Sequence, residues 1–483
     1  MMREAVLPAL RWTALGRLGA QALSLAATLV VVRILGPAEY GLFALCMAPV
    51  TFLGALVVVA PSCLVIRASA PREDTRRATG LLVALVALAT LAMAPASAAI
   101  AWSQEDPRAF ALCVVLVACV LWPHALSAAW QASFERRLDF RAVSMVELAS
   151  GLASTVATVG FALGGAGVWA LAAGAAAASA TQFLLLLAAM RGDALPSFDF
   201  RRLARADAAY GGRVVLGTLV TQALEAAETI LLARFLGAAE LGAWRTTREL
   251  VNVPMGKAMP IVNRVGFPAY ARLGGDVAAA RRYALLSLQV FAAVFVPAYW
   301  GLAAVAPHAV PLAMGAQWAQ AAPLAAIFGL FLPFRLLQYC LVLPHQGLGN
   351  AALVNRATLL AGGGALAGLA AGLAFGAAVA AASMALAGAV GLVLAADRAR
   401  RPLGLSLGDI AGGCAPTLLA AATMAAAVTA ARLVLPPDWS HAQALAALVP
   451  LGVAVHGAAF LALDRGRLLR PALSILRDIA CRR

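Results

Sequence analysis

Apolar runs of about twenty residues, each long enough to cross a bilayer, recur along the whole chain between short polar joins. They predict fourteen helical spans: 13–35, 42–66, 79–101, 109–132, 143–163, 168–190, 212–236, 242–263, 284–306, 320–343, 356–376, 378–396, 410–434 and 442–463. Spans eleven and twelve are the least separated, because the Ala/Gly-rich sequence between them carries almost no loop signal. The joins alternate in charge. Odd-to-even joins such as GPAEYG, WSQEDPR, GGAG, GAAELG, APHAVPLAMGAQWAQ and PPDWSHAQ are poor in arginine. Even-to-odd joins hold the cations: Arg67, Arg72, Arg76 and Arg77; Arg136, Arg137 and Arg141; Arg191, Arg201, Arg202 and Arg205; Arg264, Arg272, Arg281 and Arg282; Arg398, Arg400 and Arg401. The weakest is 344–350, supported by Arg356 alone. Lys/Arg-rich joins stay on the cytoplasmic side, so both termini are expected there.

The pattern also repeats. Residues 16–41 (GRLGAQALSLAATLVVVRILGPAEYG) align without a gap to 217–242 (GTLVTQALEAAETILLARFLGAAELG) at an offset of 201, with 13 of 26 positions identical. Both copies are apolar helices ending in a Gly-x-x-Glu-x-Gly turn. The fold class that follows is all-α and integral to the membrane. Two pseudo-symmetric six-helix lobes, residues 1–200 and 201–405, are followed by two C-terminal helices and a basic tail over 406–483. An even number of helices per lobe makes the repeat parallel, about an axis along the membrane normal. Related halves of this kind form alternating-access transporters with the site between them. The basic start and first apolar run look like a signal peptide, but the internal copy of that helix places it in the mature fold.

Composition sharpens this reading. Of 483 residues 63% are hydrophobic, and mean hydropathy is +0.87. The formal net charge of +15, from 37 basic and 22 acidic residues, sits in the joins. It reads as topology and contact with anionic membrane lipid rather than nucleic-acid binding. The seven cysteines form no C-x-x-C pair and the histidines are scattered, so neither a disulfide framework nor a zinc site is expected. No Walker loop, G-x-S-x-G or metal-spaced cluster is present.

Polar residues inside the spans are the candidate chemistry. Arg17, Gln21, Ser24 and Thr28 lie on one helical face, and their repeat partners are Thr218, Gln222, Glu225 and Thr229, with Glu228 beside them. A charge at the bilayer centre costs about 2.5–3.5 kcal/mol on insertion scales, so Glu225 and Glu228 face either a watery cleft or a cationic partner. Gln, Ser and Thr in such stripes also serve as interhelical hydrogen-bond glue. Arg33 and Arg234 sit at helix ends six residues before Glu39 and Glu240, which suits snorkelling or a local pair. Span eight carries Arg245, Arg248, Glu249, Asn252, Lys257 and Asn263 with Pro254 and Pro260. The prolines predict a broken helix of the kind that lines transporter cavities. Arg245, Arg248, Glu249 and Asn252 share a face, with Lys257 about 140° round an ideal helix from Asn252. Arginines there suit an anionic ligand, because Arg grips phosphate with two parallel hydrogen bonds. The same charges also fit an internal salt-bridge set with Glu225 and Glu228. Arg335 in span ten is a further cation, and Glu147 in span five reads as near-interfacial.

Four stretches resemble the polysaccharide export flippases of the multidrug/oligosaccharidyl-lipid/polysaccharide superfamily, the Wzx-like branch. They are VVRILGPAEYGLFAL (31–45), FERRLDFRAVSMVE (134–147) with GGAGVWALAAG (164–174), RELVNVPMGKAMPIVNRVGFPAYARL (248–273) and GAQWAQAAPL (315–324). They span most of the first ten helices; the last four match only in hydropathy. The resemblance implies a bacterial inner-membrane flippase without cofactors. Its substrate is an undecaprenyl-diphosphate-linked oligosaccharide moved from the cytoplasmic to the periplasmic leaflet for exopolysaccharide, capsule or O-antigen synthesis. A glycan polymerase and assembly machinery are the protein partners it implies, and the chain is expected to act as a monomer. Family flippases have a cationic central cavity; here Arg17, Arg245, Arg248, Lys257 and Arg335 are the positions that can supply it, with Gln21, Gln222, Glu225, Glu228 and Asn252 beside them.

Three other functions compete. A drug or metabolite/cation antiporter of the same superfamily typically places a carboxylate in the first helix; span one has none. A membrane glycan polymerase or ligase usually carries a large external loop, and the longest external join here is APHAVPLAMGAQWAQ. A scaffold without transport leaves the doubled polar stripes unexplained.

Overall fold

The structure is a computed structural model and describes residues 25–67, 71–104, 106–137, 139–190, 195–198, 205–272, 276–347, 351–401 and 403–464. Its elements are α1 (described over Leu25–Ile34), α2 (Pro37–Arg67), α3 (Pro71–Gln104), α4 (Pro107–Leu116), α5 (Trp122–Arg136), α6 (Phe140–Leu163), α7 (Val168–Ala189), α8 (Arg205–Arg272), α9 (Val277–Met314), α10 (Ala322–Gly347), α11 (Ala351–Gly372), α12 (Ala377–Arg400), α13 (Leu407–Leu433) and α14 (His441–Asp464). No strand occurs among the described residues. Ten of the described helical stretches are long and apolar enough to cross a membrane, with two shorter apolar helices at Leu25–Ile34 and Leu359–Phe375. Helices are the form that satisfies every backbone polar group within one bilayer-spanning segment.

The boundaries follow local chemistry. Asp106 caps α4 by accepting the Arg108 backbone N–H at 2.9 Å. The Arg108 guanidinium grips the same carboxylate, holding Asp106 below the usual carboxylate range. Asp139 and Asp276 cap α6 and α9 on the N–H groups of Ala142 and Ala279. Ser406 and Asp409 form a reciprocal capping box at α13. Gly167, at φ +57°, turns the chain into α7, and Gly376, at φ +94°, turns it into α12. Both are left-handed conformations open to glycine.

Three features depart from the sequence reading. The expected join APHAVPLAMGAQWAQ is largely helical, because α9 continues through Pro307 and Pro311 to Met314 and is followed by a 3-10 turn over Ala316–Ala321. Proline inside a helix removes one N–H bond and crowds the carbonyl four residues back, but membrane-spanning helices accommodate it because neighbouring groups and small local adjustments re-satisfy the freed carbonyl. Spans seven and eight form one 68-residue helix interrupted only at Gly237 (φ 81°, ψ 176°), and the backbone stays helical at Pro254 and Pro260. The break expected at those prolines is therefore absent, and its place is Gly237. Between α4 and α5, Val117–Leu121 forms a π turn. Pro123 offers no N–H there, and the Trp122 N–H bonds the Val117 carbonyl five residues back.

Contacts divide the chain into two compact units, Met1–Gly242 and Ala243–Arg483. In the first, the core runs from Leu42, Cys46 and Leu82 through Leu112 and Leu121 to Trp130 and Leu186, joining α2 to α5 with α7. Trp122 and Trp130 donate their indole N–H to Thr90 and Thr79 of α3 at 3.0 and 3.2 Å, which removes the cost of burying them. Segment 195–198 docks on the Arg-bearing end of α3: Ser197 N–H donates to the Arg76 carbonyl at 2.8 Å, and Arg76 Nε donates to the Leu195 carbonyl. Arg77, almost buried, is held by Glu73 at 2.8 Å and Asp74 at 3.0 Å.

In the second unit, α9 packs on α10, α13 and α14. Arg281 of α9 pairs with Asp409 of α13 at 2.8 Å. The poorly punctuated region between spans eleven and twelve is a tight α11–α12 hairpin whose glycines let the backbones touch. A Cβ on Gly368 would lie 2.4 Å from the Ser383 carbonyl oxygen and 2.6 Å from Ala387 Cβ. The composition that hides the boundary is thus the one the packing needs. Gly368→Val should lose roughly 1–3 kcal/mol to overpacking, read as a lower unfolding temperature in detergent. Gly363→Ala, whose added Cβ meets nothing within 4 Å, should be neutral.

Candidate functional site

The residues singled out from the sequence fall in both units. Arg17 and Gln21 lie outside the described residues. So does the side chain of Lys257, although its backbone belongs to α8.

In the first unit, Gln222, Glu225, Glu228 and Thr229 follow one side of α8. Glu225 is exposed and Glu228 is buried. Gln222 Nε2 donates to the Thr51 carbonyl of α2 at 3.4 Å, and Thr229 Oγ1 donates to the Glu225 carbonyl at 2.9 Å. The stripe thus holds one cross-helix hydrogen bond, from Gln222, and one exposed carboxylate, on Glu225.

In the second unit, the same helix after Gly242 has two distinct faces. Ala243, Trp244, Thr246, Thr247 and Val251 are buried, and Trp244 meets Phe328 of α10 edge-on at 5.2 Å. Arg245 and Arg248 are half-buried, and Glu249 and Asn252 are exposed, all on the less buried side of the helix. An i, i+3, i+7 spacing with a bulky apolar anchor between produces this arrangement. Further along, the Met255 N–H donates to the buried Tyr299 hydroxyl at 3.3 Å, tying α8 to α9. Arg335 is exposed on α10, two residues after the buried Pro333.

The repeat turns are in register with each other. Glu39 Oε2 accepts the Gly36 N–H at 3.1 Å, closing the first turn locally. A Cβ on Gly41 would lie 1.7 Å from the Ala238 carbonyl oxygen, and one on Gly242 would lie 1.8 Å from that of Pro37. These are equivalent positions in the two copies, offset by 201, so the turns cross backbone on backbone. Arg33 and Arg234 are exposed at the adjoining helix ends.

One polar group is not apparent in the sequence. A cavity of about 250 Å³ is lined by His124 and Gln131 of α5, by Val143, Val146, Glu147 and Ser150 of α6, and by Gln182 and Leu186 of α7. The His124–Gln131 spacing of seven was the one available signal.

Comparison with known proteins gives the family. The sequence model of the family described as polysaccharide biosynthesis protein matches residues 30–323. The chain belongs to that family. It is 26% identical over 326 residues to the succinoglycan biosynthesis transport protein ExoT of Rhizobium meliloti (strain 1021), covering 66% of this chain and 64% of ExoT. It is 29% identical over 207 residues to the lipopolysaccharide biosynthesis protein WzxC of Escherichia coli (strain K12), covering 42% and 41%. The matched region is therefore less than two thirds of either relative. Among solved structures, the fold is similar to lipid II flippase MurJ in an inward closed conformation, with TM-score 0.76 and 10% identity over 94% of this chain and 99% of MurJ. It is also similar to an inward-facing multidrug resistance MATE transporter, with TM-score 0.57 and 17% identity over 80% and 94%. The polysaccharide family member thus shares its fold with these two transporters.

Proposed function

We propose that this family member is a flippase, not an enzyme. It carries an undecaprenyl-diphosphate-linked oligosaccharide from the cytoplasmic to the periplasmic leaflet of the bacterial inner membrane by alternating access. The observation that carries this reading is the match of the polysaccharide family over 30–323, the same stretch that contains the end of the first repeat copy, the whole of the second and the Arg245–Arg248–Asn252 face. Residues 1–200 and 201–405 act as the moving lobes, 406–483 as an appendage, and both termini are cytoplasmic.

Arg245 and Arg248 hold the diphosphate by charge-assisted hydrogen bonds, joined by Arg17, Lys257 and Arg335. Gln21, Gln222 and Asn252 meet sugar hydroxyls, while Glu225 and Glu228 set the charge balance. The lipid tail stays in the bilayer. A diphosphate moving outward runs down an inside-negative potential, worth about 2.3 kcal/mol per charge per 100 mV. Collapsing the potential with the proton gradient held should therefore slow transport. The antiporter reading has weaker support, since the sequence relatives are polysaccharide proteins and the MATE likeness is one of fold. Deleting the gene should stop glycan export and leave lipid-linked oligosaccharide on the cytoplasmic leaflet; normal export in the deletion strain would contradict the proposal.

A further inference from the structure

Two of the arginine-poor joins each carry a histidine, His308 in APHAVPLAMGAQWAQ and His441 in PPDWSHAQ. The flipping step proposed above uses neither. The structure brings them together inside the second unit: His308 Nδ1 lies 3.2 Å from His441 Nδ1, with ring centroids 5.4 Å apart. His308 is half-buried on α9, and His441 is exposed as the first residue of α14. Behind the pair, Ala304 and Val305 of α9 pack with Met424 and Val428 of α13 and Leu448 of α14. The two imidazoles thus close one end of an apolar seam between α9 and α14.

The surroundings of the pair are cationic. Arg432 of α13 donates from Nη1 to the Ala304 carbonyl at 2.9 Å, one turn before His308, and its charge reaches the His308 ring. α14 begins at a reciprocal cap, in which the Gln443 N–H donates to Ser440 Oγ at 3.3 Å and the Ser440 N–H donates to Gln443 Oε1 at 2.9 Å. His441 therefore stands at the positive end of the helix dipole, where a cation is disfavoured. No acidic residue occupies the first turn of α14, and Asp438 in the join is exposed. The 3-10 turn over Ala316–Ala321 carries no titratable group. The nearest others in sequence on the packed helices are Tyr299, nine residues back on α9, Arg335, thirteen residues into α10, Cys414, eighteen residues before Arg432 on α13, and His456, fifteen residues into α14.

From this arrangement we infer that His308 and His441 form a latch between α9 and α14 that acid opens. Closure needs one Nδ1–H and one Nδ1 lone pair, so it holds while at least one ring is neutral. Once both rings have taken a proton from solvent, both Nδ1 atoms carry hydrogen and the accepting lone pair is gone. Two like charges then face each other at hydrogen-bond distance, beside Arg432 and the dipole of α14, and the seam opens from that end. The ordinary imidazole pKa is about 6.5, so the latch is closed above it and opens as pH falls below it. The end of α9 gives way readily, because neither Pro307 nor Pro311 has an N–H to bond the carbonyl one turn back. That the latch faces the periplasm and reads external acidity rests on the membrane orientation proposed above; the acid opening does not.

The test is amide hydrogen exchange of the full-length protein in nanodiscs at about pH 7.5 and about pH 5, corrected for the intrinsic pH dependence of exchange. In wild type, residues 441–449 should lose at least about tenfold in protection at the lower pH, while residues 42–57 of the first unit keep theirs. His308→Gln and His441→Gln each retain a hydrogen-bonding group without a titrating charge, and neither should show the loss. The double variant His308→Lys/His441→Lys, charged twice at both pH values, should already show it at the higher pH. Wild-type protection that does not change with pH, an equal loss in either glutamine variant, or a loss spread evenly over both units would overturn the latch. Acid opening in a protein that flips no glycan would leave the latch standing and remove the flippase reading instead.

Discussion

Gly242→Leu and Gly41→Leu should each cut glycan transport at least about tenfold, the equivalent of 1.4 kcal/mol or more in the transport barrier, while Gly36→Ala leaves it near wild type. At Gly41 and Gly242 an added Cβ meets backbone, at 1.7 Å from the Ala238 carbonyl oxygen and 1.8 Å from that of Pro37. Backbone cannot swing aside as a side chain can, so the two turns must separate. Gly36 belongs to the same turn, yet a Cβ there meets nothing within 4 Å. It therefore controls for glycine loss without a clash. Under the proposed cycle these turns part and close again with every substrate, and a leucine at either position holds them apart. Complementation of a deletion strain, scored by exported glycan at matched expression, reads the effect. Wild-type export by Gly242→Leu would show that the crossing is not remade during transport.

Arg248→Ala should lower flipping by roughly ten- to a hundredfold, from loss of a charge-assisted hydrogen bond worth about 1.5–3 kcal/mol. Arg248→Lys should recover only part, because an ammonium keeps the charge but not the two-pronged geometry. The position suits a clean test. Arg248 is half-buried on the less buried side of α8, whereas Trp244, four residues earlier, is fully buried against Phe328. Truncating the tryptophan should cost roughly 3–5 kcal/mol of stability; truncating the half-buried arginine should lower the melting temperature by less. Unchanged flipping in a folded Arg248→Ala protein would assign that guanidinium to internal pairing.

Much of the architecture was legible because a bilayer imposes simple rules on sequence. Run length gave the helices, and arginine alternation gave a sidedness. The offset of 201 anticipated that Gly41 and Gly242 are equivalent, though not that their backbones touch. Boundaries failed around prolines. Pro307 and Pro311 sit within α9, and Pro254 and Pro260 leave α8 helical, while Gly237 with its positive φ carries the interruption. The two faces of α8 after Gly242 were readable from spacing alone. The cavity of His124, Gln131, Glu147 and Gln182 was not, because its side chains come from three helices and meet only through packing. Glu147 read alone is one carboxylate near a helix end; beside His124 it lines a shared polar cavity.

The central claim is that this protein moves a lipid-linked oligosaccharide between leaflets, and leaflet-resolved flipping in proteoliposomes tests it most directly. With purified wild-type protein and a fluorescent undecaprenyl-diphosphate oligosaccharide, the labelled headgroup should equilibrate between leaflets far faster than in protein-free vesicles. Headgroups that stay in their original leaflet across several glycan types, in vesicles that instead accumulate a cationic dye, would contradict the account and identify an antiporter.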